Sequence, residues 1–385
     1  MQKSITVLCN TRFPSTAAHG VYLARLCESF AAEGVSVELV VPKRGREVKA
    51  EPLSFYGVKT PFRVRKIWSF DFILLGPILR KSAYWFQAAN FYLFALVYFL
   101  FRSRRRLVYT MDNLGCLLTF IGYRVVFETH VGIGPYRQKM LRLIRRAERL
   151  VAVNSLIKDE FVKAGFPAEK ILVAPNGVDL ALFSGGETKQ ELRRKLSLPE
   201  QAQIVGYVGR FRTMGMEKGV EELARSFAAF ASANAAGSPH LLIVGLEAGE
   251  STELKSLLKS AGVSEGRFTL VGHVSQRRVA PYMRAADCLV MNYPDTPYYR
   301  VSMSPMKMFE YMASGNPIVA SDLPSIREVL NERNAVIVKP DDQEALVSGI
   351  RRALEEGAAP ARQARRDAEN FTWQNRARKI LQFLS

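Results

Sequence analysis

Residues 302–322 read SMSPMKMFEYMASGNPIVASD, and this stretch predicts a turn, a helix and a buried strand in that order. Ser304 followed by Pro305 is typical of a helix start, because a hydroxyl side chain caps the first turn and proline fits the first helical position. Gly315 favours the end of the helix, and the apolar run 317–320 is of strand type. One apolar helix face is predicted at Met306, Phe309 and Ala313.

The start of this helix is a candidate site for a nucleotide. Amide groups in the first turn of a helix have no intrahelical partner and therefore favour an anion. Glu310 lies one to two turns further along, where its carboxylate can accept hydrogen bonds from a diol. An anion site with a carboxylate behind it suits a diphosphate at the helix start and a ribose at Glu310.

A second candidate site lies in the loop that follows a predicted strand at 204–208. The segment VGRFRTMGMEKG, residues 208–219, places Arg210 and Lys218 in that loop. Ligands of open α/β sheets collect at the carboxyl ends of the strands. Arginine and lysine are both suited to binding a diphosphate and stabilising it as it departs. Either residue alone is equally consistent with a solvated surface charge, but the pair together with the 302–322 stretch favours a diphosphate site.

The chain resembles the retaining glycosyltransferases of family 4, which have the GT-B fold. The resemblance extends along nearly the whole chain and is most specific in the 208–219 loop, in the 302–322 stretch and in VAPNGVDLALF at 173–183. It implies an α/β architecture of two Rossmann-like, doubly wound domains that face a central cleft. It also implies a hexosyl-type transfer from a nucleotide-sugar donor with retention of configuration.

The resemblance assigns roles to single residues of this sequence. Arg210 and Lys218 are expected to bind the donor diphosphate, and His130, at the end of FETH at 127–130, is expected to face the donor sugar. These three are the candidate catalytic residues. The donor-binding positions are Gly20, Val274, Ser302, Met303, Ser304, Met306 and Glu310, with His19 as a possible addition.

Two histidine assignments have alternatives. His130 is either the sugar contact or a satisfied structural histidine. His19 lies in the loop after the first predicted strand and is either a donor contact or the cap of the helix that follows. Gly20, beside it, is expected to let the backbone approach the phosphates.

The sequence departs from the family pattern at the donor sugar. Many relatives have a second glutamate eight residues before the ribose-binding one, and Ser302 occupies that position here. The spacing between Arg210 and Lys218 is also longer than usual. No acidic pair suits a metal ion at the diphosphate, so no metal or other cofactor is expected.

Two other functions are consistent with the same fold. A nucleotide-sugar epimerase would need acid and base residues near the donor sugar and no acceptor surface, and the basic, aromatic first half argues against it. A non-catalytic nucleotide-sugar binding protein would explain Ser302, but Arg210, Lys218 and Glu310 argue against that. A glycosidase needs two carboxylates across the scissile bond, and the sequence nominates no such pair.

Length and patterning predict two domains. A chain of 385 residues with 48% hydrophobic residues can form two cores, and strands alternating with helices predict parallel, doubly wound sheets. An acceptor-binding domain is expected at 1–183 with a return helix at 370–385, and a donor-binding domain at 184–369. The predicted strands are 5–9, 35–41, 107–109, 125–128, 150–153, 171–174, 204–208, 241–245, 268–271, 288–291, 318–320 and 335–338.

Cysteine usage and the N-terminal sequence bear on localisation. The four cysteines show neither zinc-site spacing nor a disulfide framework, and Cys9 and Cys288 lie in apolar runs typical of buried thiols. A strand begins almost at once, without the leader, apolar core and cleavage site of a signal peptide. The chain is therefore expected in the cytoplasm.

The net charge of +18 is uneven, with its clusters in the first half of the chain. The arginine run comprises Arg102, Arg104, Arg105 and Arg106. A second cluster would form one face if its segment is a helix: Arg142, Arg145, Arg146 and Arg149. Such a surface attracts anionic lipid or nucleic acid, but no nucleic-acid motif or stacking pattern accompanies it. Ordinary solvated charge is the alternative.

An apolar segment, AYWFQAANFYLFALVYFLF at 83–101, precedes the arginine run. Its length approaches that of a membrane span, although Gln87 and Asn90 weaken this interpretation. A core helix or an interfacial helix with aromatic residues in the headgroup zone are the alternatives. With the arginine clusters, the segment favours an enzyme peripheral to the inner face of the cytoplasmic membrane. Its acceptor would be a lipid-linked or membrane-associated glycan in cell-envelope polysaccharide or lipopolysaccharide synthesis.

Overall fold

A computed structural model of the chain describes residues 4–45, 48–70, 80–136, 138–213, 215–234, 239–247 and 249–385. Its residue contacts define two compact units. The first unit comprises Met1–Pro175 and Trp373–Ser385, and the second comprises Asn176–Thr372.

The unit boundaries differ slightly from the predicted domain boundaries. Residues 176–183 and 370–372, assigned to the first domain from the sequence, lie in the second unit. Two contacts explain this: the Val178 amide donates to the Phe371 carbonyl at 2.8 Å, and Phe183 is buried in the core of the second unit.

The first unit is built on one parallel sheet. Its described strands are β1 (Ser4–Leu8), β2 (Ser36–Lys43), β3 (Arg63–Trp68), β4 (Leu107–Thr110), β5 (Val125–Thr129), β6 (Arg149–Ala152) and β7 (Ile171–Val173). They pair in the order β3-β2-β1-β4-β5-β6-β7. The helices are α1 (Ala18–Ala32), α2 (Pro52–Tyr56), α3 (Arg80–Leu100), α4 (Gln138–Ile144), α5 (Ser155–Lys163) and α15 (Trp373–Phe383). The central strands β4 and β5 are buried throughout, as expected for a parallel sheet covered on both faces.

The second unit has a second parallel sheet. Its described strands are β8 (Ile204–Val208), β11 (His240–Leu246), β12 (Phe268–Gly272), β13 (Cys288–Met291), β14 (Ile318–Ser321) and β15 (Val336–Val338), in the order β12-β11-β8-β13-β14-β15. A separate antiparallel pair is formed by β9 (Arg212–Thr213) and β10 (Met216–Glu217). The helices are α6 (Lys189–Lys195), α7 (Val220–Ala233), α8 (Glu250–Ser260), α9 (Gln276–Ala285), α10 (Pro297–Val301), α11 (Met306–Ser314), α12 (Pro324–Arg327), α13 (Gln343–Glu356) and α14 (Ala358–Ala368).

These sheets confirm the predicted pair of doubly wound α/β folds, and every predicted strand is present to within two residues at either end. Strand β3 was not predicted. It is the edge strand beside β2, and its sequence RVRKIW is only half-buried. Charged side chains on an edge strand prevent it from pairing with another sheet. Because β3 carries such side chains, its sequence lacks the apolar run by which the other strands were predicted.

Each sheet has one point at which the strand order reverses direction. In the first unit it lies between β1 and β4, and in the second between β8 and β13. Loops at the carboxyl ends of the two strands diverge there and leave a crevice in which ligands of such sheets bind. The candidate residues are therefore best examined around these two points.

Helix α3 covers the apolar segment predicted at 83–101. One face is buried, with Phe91 and Phe99 in the core, whereas Phe86 and Leu93 are exposed. Within the described residues, the structure contains no helix with the length and apolarity needed to cross a membrane.

The predicted single helical face of arginines is wrong. Helix α4 ends at Ile144, and Arg149 already begins β6. The helix stops because the Glu148 amide donates to the Val125 carbonyl at 2.8 Å, which starts the pairing of the sheet. Arg145 instead lies over the Phe166 ring and donates to a backbone carbonyl.

Candidate functional site

In the second unit, Arg210 and Lys218 flank the β9–β10 pair in the loop that follows β8. Arg210 forms an ion pair with Glu247 at 3.0 Å. Burial lowers the pKa of Lys218 to about 8, and the nearby Arg210 adds to this effect. The two predicted cations therefore lie close enough for Arg210 to disfavour the charged form of Lys218.

The position of Lys218 is fixed by its neighbours. Gly219 has φ of +82°, and a Cβ there would lie 1.8 Å from the Asn292 carbonyl oxygen, so only glycine fits. The Asn292 side chain donates to the Gly219 carbonyl at 2.7 Å. The Glu217 carboxylate accepts hydrogen bonds from the amides at the start of α7. That helix start is therefore already occupied by a carboxylate of the chain itself.

The start of α11 is different, because among the described residues its cap residue makes no side-chain hydrogen bond to the helix. The predicted cap was displaced by one residue: Pro305 occupies the cap position and the helix begins at Met306. Ser304 does not cap the helix, since its hydroxyl accepts the Asn176 amide at 3.0 Å and its carbonyl accepts the Asn176 side-chain amide. These bonds hold the turn before α11. In its first turn the Met308 amide donates to the Pro305 carbonyl at 3.0 Å, which leaves the amides of Met306 and Lys307 as the candidates for an anion.

The other predicted donor residues of the second unit lie on α11, at the end of α10 and after β12. Ser302 ends α10, where its amide donates to the Tyr298 carbonyl at 2.7 Å, and Met303 is buried. Met306 and Glu310 are half-buried along α11. Val274 lies after β12 at the same carboxyl edge of the sheet, two strands from β8, or about 10 Å at the usual strand spacing.

In the first unit, His130 belongs to a buried hydrogen-bond network centred on Glu128. The Glu128 carboxylate accepts from His130 Nε2 at 2.6 Å and from the Arg376 guanidinium at 2.8 Å. It also accepts from the hydroxyls of Tyr22 and Tyr109. Glu128 is fully buried, and Arg376 comes from the return helix α15.

This network fixes the tautomer of His130. Burial alone would raise the pKa of Glu128, but Arg376 and His130 overcome that effect and lower it to about 2. Because the ionised carboxylate can only accept, His130 Nε2 carries a proton, and in the neutral imidazole Nδ1 is then the acceptor of the ring. The Tyr22 ring meets the imidazole edge-on, with 4.9 Å between ring centroids, and limits its rotation.

The structure brings His19 near His130 but not into a capping role. His19 lies within the first turn of α1, and its Nε2 is 3.1 Å from Cys9 Sγ. Burial lowers the pKa of His19, and the nearby His130 adds to the effect. A Cβ on Gly20 would lie 2.2 Å from the Tyr56 hydroxyl, so this glycine has a packing reason of its own.

Sequence reasoning missed three residues of these sites. Glu128 stood within FETH, and a carboxylate inside a predicted buried strand was a signal of a paired charge. Arg376 gave no signal, because its partner lies 248 positions away. Lys307, the second residue of α11, is buried although lysine is rarely buried.

Two further expectations concern cysteines and metals. All four cysteines are buried free thiols, which confirms the prediction for Cys9 and Cys288. Within the described ranges, no three His, Cys, Asp or Glu side chains cluster in a way that could hold a metal ion.

Two family models match the chain. The family described as Glycosyltransferase Family 4 matches residues 19–182, and the family described as Glycosyl transferases group 1 matches residues 202–356. The chain is 28% identical over 238 residues to the putative teichuronic acid biosynthesis glycosyltransferase TuaC of Bacillus subtilis, covering 61% of this chain and 54% of that protein. It is 28% identical over 258 residues to a D-inositol 3-phosphate glycosyltransferase of Salinispora tropica, covering 62% and 51%. The chain thus spans about half the length of the curated relatives it matches.

Solved structures share the fold over nearly the whole chain. Sucrose-phosphate synthase of Thermosynechococcus elongatus has a TM-score of 0.75 at 20% identity, covering 99% of this chain and 98% of that one. HepE of Anabaena, solved in complex with UDP-glucose, has a TM-score of 0.73 at 19% identity and covers 99% of both chains. At this identity the likeness concerns the fold.

Proposed function

We propose a reaction for this chain, which belongs to the glycosyltransferases of group 1 and family 4 and has their GT-B fold. The chain is a retaining hexosyltransferase that uses a nucleotide-sugar donor. The observation that carries the proposal is in the second unit. The cations Arg210 and Lys218 and the uncapped start of α11 all lie at the carboxyl edge of one sheet, around its switch point. This combination suits a diphosphate, and Glu310 along the same helix suits a ribose.

The proposed reaction needs a leaving group that departs as a stabilised anion. The acceptor hydroxyl oxygen bonds to the anomeric carbon on the same face from which the diphosphate oxygen leaves, and the diphosphate takes the hydroxyl proton. Arg210, Lys218 and the first-turn amides of α11 would stabilise the charge that develops on the diphosphate. With these groups supplying positive charge, we propose that no metal ion is required.

For His130 we propose a hydrogen bond to the donor sugar. Its Nε2 proton is held by Glu128, so Nδ1 can accept from a sugar hydroxyl. The imidazole would therefore orient the sugar rather than transfer a proton. Ser302 stands where many members of the family have a carboxylate that contacts the sugar, so we propose a different contact to the sugar at this position.

We further propose a lipid-linked or membrane-associated glycan as the acceptor, with the enzyme bound to the inner face of the cytoplasmic membrane. The support is an exposed apolar patch on one face of α3 and the end of β3: Trp68, Phe70, Phe86, Leu93, Val97, Leu100 and Phe101. The arginine run follows immediately, and Arg102 lies over the Tyr98 ring at 4.7 Å. Apolar side chains beside arginines match the boundary between acyl chains and anionic headgroups. A role in cell-envelope polysaccharide synthesis would agree with the name of one relative.

A donor screen tests the proposal. Thermal unfolding of the wild-type protein is measured with UDP-, GDP- and ADP-sugars, because a ligand far above its Kd raises the midpoint. The donor that stabilises the protein is then incubated with and without candidate acceptors. Transfer, or slow donor hydrolysis without acceptor, supports the proposal. A sugar converted while still on its nucleotide would indicate an epimerase, and binding without any turnover would indicate a non-catalytic binding protein.

A further inference from the structure

Lys307 is a buried lysine in the first turn of α11. Only 8% of its surface is exposed, and within the described residues its Nζ has no hydrogen-bond partner. Its stem packs below Gly209, where an added Cβ would lie 3.4 Å from Lys307 Cδ. A buried amine with no hydrogen-bond partner is costly when charged, so its presence beside an anion site needs a reason.

The Lys307 amine lies between two aromatic rings at the switch point. Nζ is 4.1 Å from the ring centroid of Tyr207, on β8, and 4.5 Å from that of Tyr293, just after β13. The Tyr207 hydroxyl donates to the Arg210 carbonyl at 2.9 Å. Lys307 therefore lies beneath the loop that carries the first predicted cation, and ring faces favour it when it is charged.

The charges around Lys307 are those of the diphosphate site. Burial lowers the pKa of Lys307 well below its usual value, and Lys218 adds to the effect, while Glu217 opposes it. Glu217 is already engaged by the amides at the start of α7. The other titratable or charged groups on the packed elements are Arg210, the buried Tyr207, Tyr293 and Tyr311, and Glu310 on the same helix.

Resting on the proposed function, we propose that Lys307 is a third cation of the diphosphate site and that nucleoside diphosphate binding is coupled to proton uptake at its amine. Before a diphosphate binds, burial and repulsion from Lys218 favour the neutral amine. A diphosphate held by Arg210 and Lys218 brings negative charge to the same loop and favours the ammonium, which the two rings then stabilise. The proton comes from solvent, and its uptake makes the affinity fall as the pH rises.

The test is calorimetric titration with UDP, GDP and ADP at pH 7.5 in buffers of different ionisation enthalpy. Wild type is compared with Lys307→Met, which keeps the length of the side chain without the amine. Titration of the phosphate and of Lys218 contributes to both proteins and largely cancels in the difference. We expect wild type to take up at least about half a proton more per ligand, and the variant to bind about tenfold more weakly, as for loss of one charge-assisted contact. Lys195→Met, at an exposed and distant lysine of the same unit, should match wild type.

The variant also separates a binding role from a structural one. Because Lys307 Nζ is a buried polar group without a hydrogen-bond partner among the described residues, and burying such a group is costly, Lys307→Met should unfold at the same or a higher temperature than wild type. Equal proton uptake and equal affinity in the two proteins would overturn this inference alone. A wild-type protein that binds none of the three nucleotides would overturn the proposed function together with it.

Discussion

Replacing Arg376 by methionine is expected to destabilise the first unit by about 3–5 kcal/mol at neutral pH, because it leaves a buried carboxylate without its cation. The Arg376 and Glu128 side chains are 3% and 0% exposed, with 2.8 Å between nitrogen and oxygen. Against the opposing effect of burial, Arg376 and His130 lower the pKa of Glu128 from 4.5 to about 2. At about 1.4 kcal/mol per pH unit, the ionised carboxylate contributes about 3 kcal/mol to folding.

Acid should change the contribution of Glu128 to stability in opposite directions in wild type and in Arg376→Met. In wild type, the contribution of Glu128 is present above about pH 4.5 and is lost as the pH falls through about 2, because the folded state holds the ionised form. In Arg376→Met, burial without the cation should raise the pKa of Glu128, so protonation relieves the unpaired charge. The stability difference between the two proteins is therefore expected to shrink between pH 7 and pH 5.

Urea unfolding followed by tryptophan fluorescence is the assay. It reports on the first unit, since Trp68, Trp85 and Trp373 all belong to that unit. The double variant Arg376→Met with Glu128→Gln should recover most of the lost stability, because it removes both charges.

Arg378→Met is the matched control on the same helix. Arg378 pairs with Glu33 at 2.8 Å but is 58% exposed, and exposed pairs are worth less than about 1 kcal/mol. The reasoning would be refuted if Arg376→Met lost no more unfolding free energy than Arg378→Met. It would also be refuted if the stability difference between wild type and Arg376→Met grew as the pH fell.

Three further predictions concern binding surfaces. Arg210→Ala and Lys218→Ala should each lower turnover about 10²-fold, as for loss of one transition-state donor, with midpoints of thermal unfolding near wild type. Near-normal transfer by either variant would contradict the assignment of these two cations to the diphosphate site. Glu310→Gln should weaken the binding of nucleoside diphosphate measured by calorimetry, whereas an unchanged affinity would make Glu310 a helix-surface charge. Replacing the arginine run by glutamine should reduce binding to anionic vesicles and leave donor binding intact. High salt should release only part of the wild-type protein from the vesicles, because the apolar patch inserts into them. The control replaces two exposed arginines of α13, Arg351 and Arg352, by glutamine. This variant should bind vesicles as wild type does.

The fold was predictable because its signals are local. Apolar runs such as 204–208 and 288–291 form strands at those same residues, since a parallel strand covered on both faces must be apolar along its length. Strand β3 was missed for the converse reason, as its place at the sheet edge leaves it half-buried and free to be charged. The single helical face predicted for the arginines at 142–149 was wrong because the prediction continued the helix to residue 149. Sheet pairing ends the helix before that residue.

The sequence predicted those site residues that lie within short motifs, but not contacts between residues far apart in the chain. Arg210 and Lys218 lie in a short loop, so their proximity follows from the sequence. The cap at Ser304 was misplaced because its hydroxyl bonds Asn176, a partner 128 positions away. Lys307 was overlooked since its burial depends on Tyr207 and Tyr293, which two different strands bring together.

The Glu128 network links the return helix to the orientation of His130. Glu128 Oε1 accepts from both His130 Nε2 and Arg376, so the orientation of the imidazole and the charge on α15 share one oxygen atom. The Trp373 ring packs edge-on to Tyr22, with 5.6 Å between centroids, and Tyr22 in turn contacts His130. The last residues of the chain thus hold the proton of His130 on Nε2, because without the arginine a buried Glu128 would favour its neutral form and cease to be an obligate acceptor.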